Sequence, residues 1–288
     1  MVDAVRTLER ALAMGEAVGD DAVRAGAVAT LGAVHAERGE FRKAMRHLEE
    51  AARLAEASGL PRERARALAA LARCRAAGGD EAGASAAVAV FSSLEAEAWA
   101  EPGLRVELAR TRAEVLLGVN AVLEAVDAAQ VAVDLAREVD RSLGLAACCA
   151  VLGEACWRSG DSARAYAAFT EAKELADQRG FARLASRADA YLAFLEGMRD
   201  GAERASAEVR LDAATTLFDA EGFVVDGIEA RYLAGLLAME VGDADRSRKL
   251  LREALTTAGA TEARRFVEDC EAALRKVNPS LRPGARRG

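Results

Sequence analysis

Glycine recurs along this chain at intervals of about twenty residues. A glycine in the left-handed conformation commonly ends a helix, because a side chain is strained there, and asparagine is the usual substitute. The spacing therefore predicts a series of short helices, each closed by one of these residues. The residues on this spacing are Gly19, Gly39, Gly59, Gly79, Asn120, Gly160 and Gly180, and the spacing then drifts slightly to Gly201, Gly222, Gly242 and Gly259.

The segments between these residues carry apolar side chains at helical spacing. Ala27, Leu31 and Val34 form one such stripe, and the stripe continues to His35. Each segment has about 16 residues, which corresponds to a helix of roughly 24 Å. Two helices joined by a short turn make an antiparallel hairpin, so the unit that repeats is about forty residues long.

The second helix of each unit repeats a small–large–small pattern. Small residues on one helical face let neighbouring helices approach closely, and the large residue fills the space between them. The copies are Ala4, Leu8 and Ala11; Ala44, Leu48 and Ala51; Ala84, Val88 and Phe91; Ala125, Ala129 and Ala132; Ala165, Phe169 and Ala172; Ala207, Leu211 and Ala214; and Ser247, Leu251 and Ala254. The first helix carries a matching pair, at Leu31-Gly32, Leu71-Ala72, Leu152-Gly153 and Ala234-Gly235.

Together, these features resemble the tetratricopeptide repeat. The period of about 40 residues is similar to the longer repeats of kinesin light chains and of bacterial signalling ATPases and regulators. The resemblance implies an all-α fold, a right-handed α-α superhelix of antiparallel helical hairpins with about 14 helices. We expect a lone second helix of a truncated repeat at 3–18, six hairpins at 21–258, a C-terminal capping helix at 261–277 and a disordered tail at 279–288.

The first helix has no partner on its N-terminal side in this sequence. Its apolar residues Leu8, Ala11 and Leu12 need cover there. Two interpretations stay open: the chain is the C-terminal piece of a longer protein, or this end associates with something, including a second copy of the chain.

Composition restricts the function further. A net charge of −7 argues against direct nucleic-acid binding, which needs a basic face. Neither a signal peptide nor a membrane-spanning stretch is recognisable, and the five cysteines lack zinc-ligand or CxxC spacing. We therefore expect reduced thiols and a cytoplasmic protein without membrane association.

Catalytic and cofactor motifs are missing from the sequence, so we predict no enzyme activity, no catalytic residue, no cofactor and no metal site. His35 and His47 are expected to be satisfied, partly buried side chains. Cys148, Cys149 and Cys156 share one helix, where a redox switch is the alternative to simple packing.

Tetratricopeptide arrays use the concave face built from their first helices to hold partners, and the resemblance implies the same here. Arg66, Arg73 and Arg110 would form a basic strip, which Glu107 and Glu114 would partly neutralise. Trp157 and Tyr232 would be aromatic anchors, or would fill gaps between repeats. The partner-binding residues predicted in this way are Arg66, Arg73, Arg110, Glu114, Glu154, Trp157, Arg158 and Tyr232, with Glu107 and Glu196 expected on the same face.

The sequence thus favours a scaffold or sensor module that binds a protein or peptide, as part of a bacterial signalling or regulatory protein. Its partner would be another protein, a peptide or a domain of the same polypeptide. The alternative is a small-ligand sensor domain of a transcriptional or signalling regulator.

Overall fold

The computed structural model describes residues 2–80, 82–87, 101–139 and 142–277. These residues form fourteen α-helices and one short 3-10 helix, and they contain no strand, which confirms the predicted all-α class. The helices are α1 Val2–Val18, α2 Asp21–Glu37, α3 Phe41–Ala57, α4 Pro61–Ala77, α5 (described over 82–87), α6 Pro102–Gly118, α7 Val122–Glu138, α8 Ser142–Arg158, α9 Ser162–Arg179, α10 Ala182–Arg199, α11 Arg204–Glu221, α12 Val224–Val241, α13 Ala244–Ala260 and α14 Arg264–Val277. Val88, Phe91 and the tail 279–288 lie outside the described residues.

Most helices end where the glycine spacing predicts. The left-handed conformation is adopted by Asn120, with φ 59°, and by Gly19, Gly39, Gly59, Gly79, Gly160, Gly180, Gly222 and Gly242. The prediction is wrong for Gly201, which begins the 3-10 helix Gly201–Glu203, and for Gly259, which lies inside α13. Glu262 takes the left-handed position instead, with φ 58°. Because the turn falls there, α14 begins at Arg264 and not at 261.

The paired glycines of the first helices lie where two helices of a hairpin approach most closely. A Cβ atom placed on Gly32 would lie 2.7 Å from Leu48 Cγ, and one on Gly153 would lie 2.8 Å from Phe169 Cδ2. Gly235 meets Leu251 at the same distance, 2.8 Å. These contacts explain why the sequence tolerates glycine in mid-helix, where it costs about 1 kcal/mol relative to alanine.

The chain divides into two compact units, which sequence analysis did not predict. Unit 1 comprises Met1–Ala185 and unit 2 comprises Ser186–Gly288, so the division falls within the first turns of α10. In unit 1 the first helices α2, α4, α6 and α8 contact one another in succession. We call the surface that they form the first-helix face of unit 1. No helix of the described residues is long and apolar enough to cross a membrane.

Candidate functional site

Charged side chains on the first-helix face of unit 1 pair across neighbouring repeats. Arg66 Nε on α4 donates to Glu107 Oε2 on α6 at 3.3 Å. Seven residues further along the same helices, Arg73 Nη1 donates to Glu114 Oε2 at 3.4 Å. Both pairs join residues 41 apart, one repeat length, so they form a ladder of ion pairs along the stack.

Arg110 completes this ladder from within α6. Its guanidinium donates to Glu114 Oε1 one helical turn away, and the carboxylate of Glu114 raises the pKa of Arg110. Arg73 Nη1 also reaches Thr111 Oγ1 at 3.4 Å. Glu114 is therefore shared between arginines of two helices, which fixes the geometry of the ladder.

The expected basic strip is thus electrically balanced. Arg66, Arg73 and Arg110 each contact a carboxylate, so the neutralising role of Glu107 and Glu114 prevails. All three arginines stay reachable from solvent, with 46%, 34% and 22% of their side-chain surface exposed.

The three predicted residues of α8 differ in accessibility. We expected Glu154 to present its carboxylate to a partner, but this residue is only 3% exposed and lies below the surface. Trp157 and Arg158 are partly buried at the end of the helix. Arg158 Nη2 donates to Asn120 Oδ1, 3.3 Å away, and this bond ties α8 to the residue that ends α6.

Tyr232 belongs to unit 2, where it lies partly buried on α12. Glu196, expected on the concave face, instead accepts a hydrogen bond from Arg210 of α11. Arg210 also binds Asp189 at 2.7 Å, and these carboxylates raise its pKa. Glu196 of α10 is therefore bound to α11, the helix that follows it in the chain.

Sequence reasoning missed a buried polar cluster on the first helices of unit 2. Arg187 Nε of α10 donates to Glu229 Oε2 of α12 at 2.7 Å, and Tyr191 donates its hydroxyl proton to Glu229 Oε1 at 2.8 Å. Asp226, also buried, lies 3.8 Å from Arg187 Nε. The separation of 42 residues between Arg187 and Glu229 repeats that of the ladder in unit 1, and this register could have revealed the pair.

Both histidines are partly buried, as expected, and His35 has a polar partner. Their rings stack with centroids 5.3 Å apart and an interplanar angle of 7°, and His35 Nδ1 lies 2.8 Å from Glu40 Oε2. Burial lowers the pKa of His47, with a further contribution from His35. Among the described residues, no group of three or more His, Cys, Asp or Glu side chains could hold a metal ion.

The cysteines have the environment of core residues. All five are buried with free thiols. Burial raises the pKa of the thiols of Cys148, Cys149 and Cys270 to about 12 and that of Cys74 to about 11. A redox sensor needs an accessible thiol of lowered pKa, so this environment favours packing over a switch.

Comparison with known proteins gives matches only among solved structures. No family model and no curated protein matches the sequence. The apo form of RapI has a TM-score of 0.65 at 14% identity, over 93% of this chain and 92% of that one. A Rap protein complexed with competence and sporulation factor has a TM-score of 0.61 at 15% identity, over 91% of this chain and 79% of that one.

A third similar structure is a signal transduction ATPase with numerous domains from Pyrococcus horikoshii, which has a tetratricopeptide repeat sensor. Its TM-score is 0.59 at 15% identity, and the match covers 94% of this chain and 40% of that one. At such low identity these likenesses report the fold. Together with the repeat geometry described above, they show that the fold is made of tetratricopeptide-like helical hairpins.

Proposed function

We propose that the protein is a signalling module that binds a peptide or another protein on the first-helix face of unit 1. The observation that carries the proposal is the ladder of ion pairs from α4 to α6, which presents partly exposed arginines and carboxylates along neighbouring repeats. The likeness in fold to a Rap protein solved with competence and sporulation factor supports a role in signal recognition.

The ladder suits recognition because its side chains are held in place before a partner arrives. Arg73 and Glu114 position each other across the repeat boundary, so fewer rotamers need to be fixed on binding. Since positive and negative groups alternate, a partner binds by exchanging ion pairs, and long-range attraction contributes little. Trp157, at the end of α8, would supply the apolar anchor that such polar surfaces need.

The proposal is tested by binding assays with two variants. A peptide display library selected on the full chain supplies the probe, and its affinity is measured by fluorescence anisotropy. Trp157→Ala and the double variant Arg73→Glu/Arg110→Glu should each weaken binding about tenfold or more, which corresponds to about 1.4 kcal/mol. Circular dichroism verifies that both variants are folded.

Arg137→Glu is the matched control. This arginine pairs with Glu171 between the second helices α7 and α9, at 2.9 Å, so its reversal should leave the affinity unchanged. Equal affinity of the wild type and both test variants would refute the assignment of the site to the first-helix face.

A further inference from the structure

One ion pair of unit 1 joins helices that are far apart in the stack. The guanidinium of Arg183, in the first turn of α10, donates to Glu37 Oε2 in the last turn of α2. These residues are 146 positions apart, whereas Arg66–Glu107 and Arg137–Glu171 join residues 41 and 34 apart. Both partners belong to unit 1.

The pair has a geometric consequence for the first-helix face. First helices contact their neighbours in the order α2, α4, α6 and α8. A bond from α2 to the start of α10 skips three of these helices, so the two ends of the series must come together. On the neighbouring helix α4, burial and, to a smaller extent, the charge of Glu37 raise the pKa of the Cys74 thiol, which follows Arg73 of the ladder in sequence.

The burial of α8 is a second, independent observation. Every residue from 148 to 156 is buried, a run of more than two helical turns with no accessible side. An amphipathic helix at the lining of an open groove would expose one stripe. Ala150, Val151 and Glu154 have at most 3% of their surface exposed, so this stretch of α8 offers no side chain to a ligand in this conformation, and Trp157 and Arg158 beyond it are only partly exposed.

We propose that the Glu37–Arg183 ion pair is a latch that holds the first-helix face of unit 1 closed, and that a partner gains access when the latch opens. This inference rests on the proposed function, since it describes how the same surface is controlled. Both side chains are 37% exposed, so the pair is weak and screened by salt, which suits a contact that opens reversibly.

The latch is tested without a ligand by a distance measurement in the full chain. Nitroxide labels are attached to Thr30→Cys on α2 and Ala182→Cys on α10, two exposed positions on the two helices that the ion pair joins. The native cysteines are buried, so the labels go to the introduced thiols. Pulsed electron–electron double resonance should give mainly one short distance for the parent protein in 0.15 M NaCl.

Charge reversal should open the latch. Glu37→Arg or Arg183→Glu should raise the population of longer distances about fivefold, and 1 M NaCl should do the same for the parent protein. The exchange variant Glu37→Arg/Arg183→Glu should restore the short distance. Glu171→Arg reverses an ion pair between second helices and should leave the distance unchanged.

The distance measurements test the latch independently of the test of peptide binding. If both single reversals keep the parent distance, or the exchange variant stays as open as they are, the latch is refuted, and the binding proposal is judged separately by Trp157→Ala and Arg73→Glu/Arg110→Glu. If the distances respond as expected while Trp157→Ala and Arg73→Glu/Arg110→Glu both bind normally, the ion pair does hold α2 and α10 together, but the assigned binding surface and the control of access to it are both refuted. Circular dichroism separates opening from unfolding.

Discussion

Substitution of Gly153 tests whether glycine is present in the first helices because the two helices of a hairpin approach closely there. An added methyl group would lie 2.8 Å from Cδ2 and 2.9 Å from Cγ of Phe169, whose ring is 1% exposed and cannot swing away into solvent. Overpacking of this kind costs about 1–3 kcal/mol. Replacing a mid-helix glycine with alanine returns about 1 kcal/mol of helix propensity. We therefore expect Gly153→Ala to lower the free energy of unfolding by up to about 2 kcal/mol.

Gly26 provides the matched control in the same unit. It lies within α2, and a Cβ atom added there meets no atom within 4 Å. Only the propensity term remains, so Gly26→Ala should raise the free energy of unfolding by about 1 kcal/mol. The difference between the two variants, about 1–3 kcal/mol, isolates the cost of overpacking against Phe169.

Urea unfolding followed by far-ultraviolet circular dichroism measures both effects. A smaller side chain opposite the glycine should relieve the clash, so Gly153→Ala should be less harmful in a Phe169→Leu background than in the wild type. If Gly153→Ala and Gly26→Ala stabilise the protein equally, close helix approach is not the reason for glycine at this position, and the reasoning fails.

Two further predictions concern titratable groups. Burial raises the pKa of the Cys148 thiol from 9.0 to about 12, so at pH 8 its thiolate fraction is about a thousandfold lower than that of a free thiol. Ellman's reagent should therefore react with this thiol only as the protein unfolds. A fast reaction of Cys148 in the native protein would contradict this prediction. The pKa of His47 is lowered from 6.5, chiefly by burial, so the unfolded chain binds the proton more tightly. The free energy of unfolding should therefore fall as the pH drops below about 6.5 towards the lowered pKa, and His47→Gln should remove that part of the pH dependence in urea titrations. A slope unchanged by the substitution would contradict the assignment to this residue.

The sequence predicted the local elements well because their causes are local. A helix needs a stripe of apolar residues, and its end needs a residue that tolerates positive φ, and both signals repeat every twenty residues. The failures at Gly201 and Gly259 have the same origin. Glycine permits the left-handed conformation without requiring it, and α13 continues past Gly259 to Ala260.

The site was less predictable, because charge pairing depends on register between repeats. Counting residues placed Arg66, Arg73 and Arg110 on one face, but the partners of these arginines depend on how α4 and α6 stack. The same uncertainty hid Arg187 and Glu229, whose bond crosses 42 residues. The burial of Glu154 could not be predicted from the sequence either, because this residue resembles the other charged residues of the first helices and only its surroundings in the fold bury it.

What the sequence determined by itself is the repeat: its helices, its turns and the small residues that let helices pack, all of which follow from short-range spacing and side-chain size. The tertiary structure alone decided which charges meet, which are buried, and that Glu37 bonds Arg183 across 146 residues. Small differences in packing angle add up over successive hairpins, so the distance between the ends of the stack is a property of the whole unit and of no single repeat.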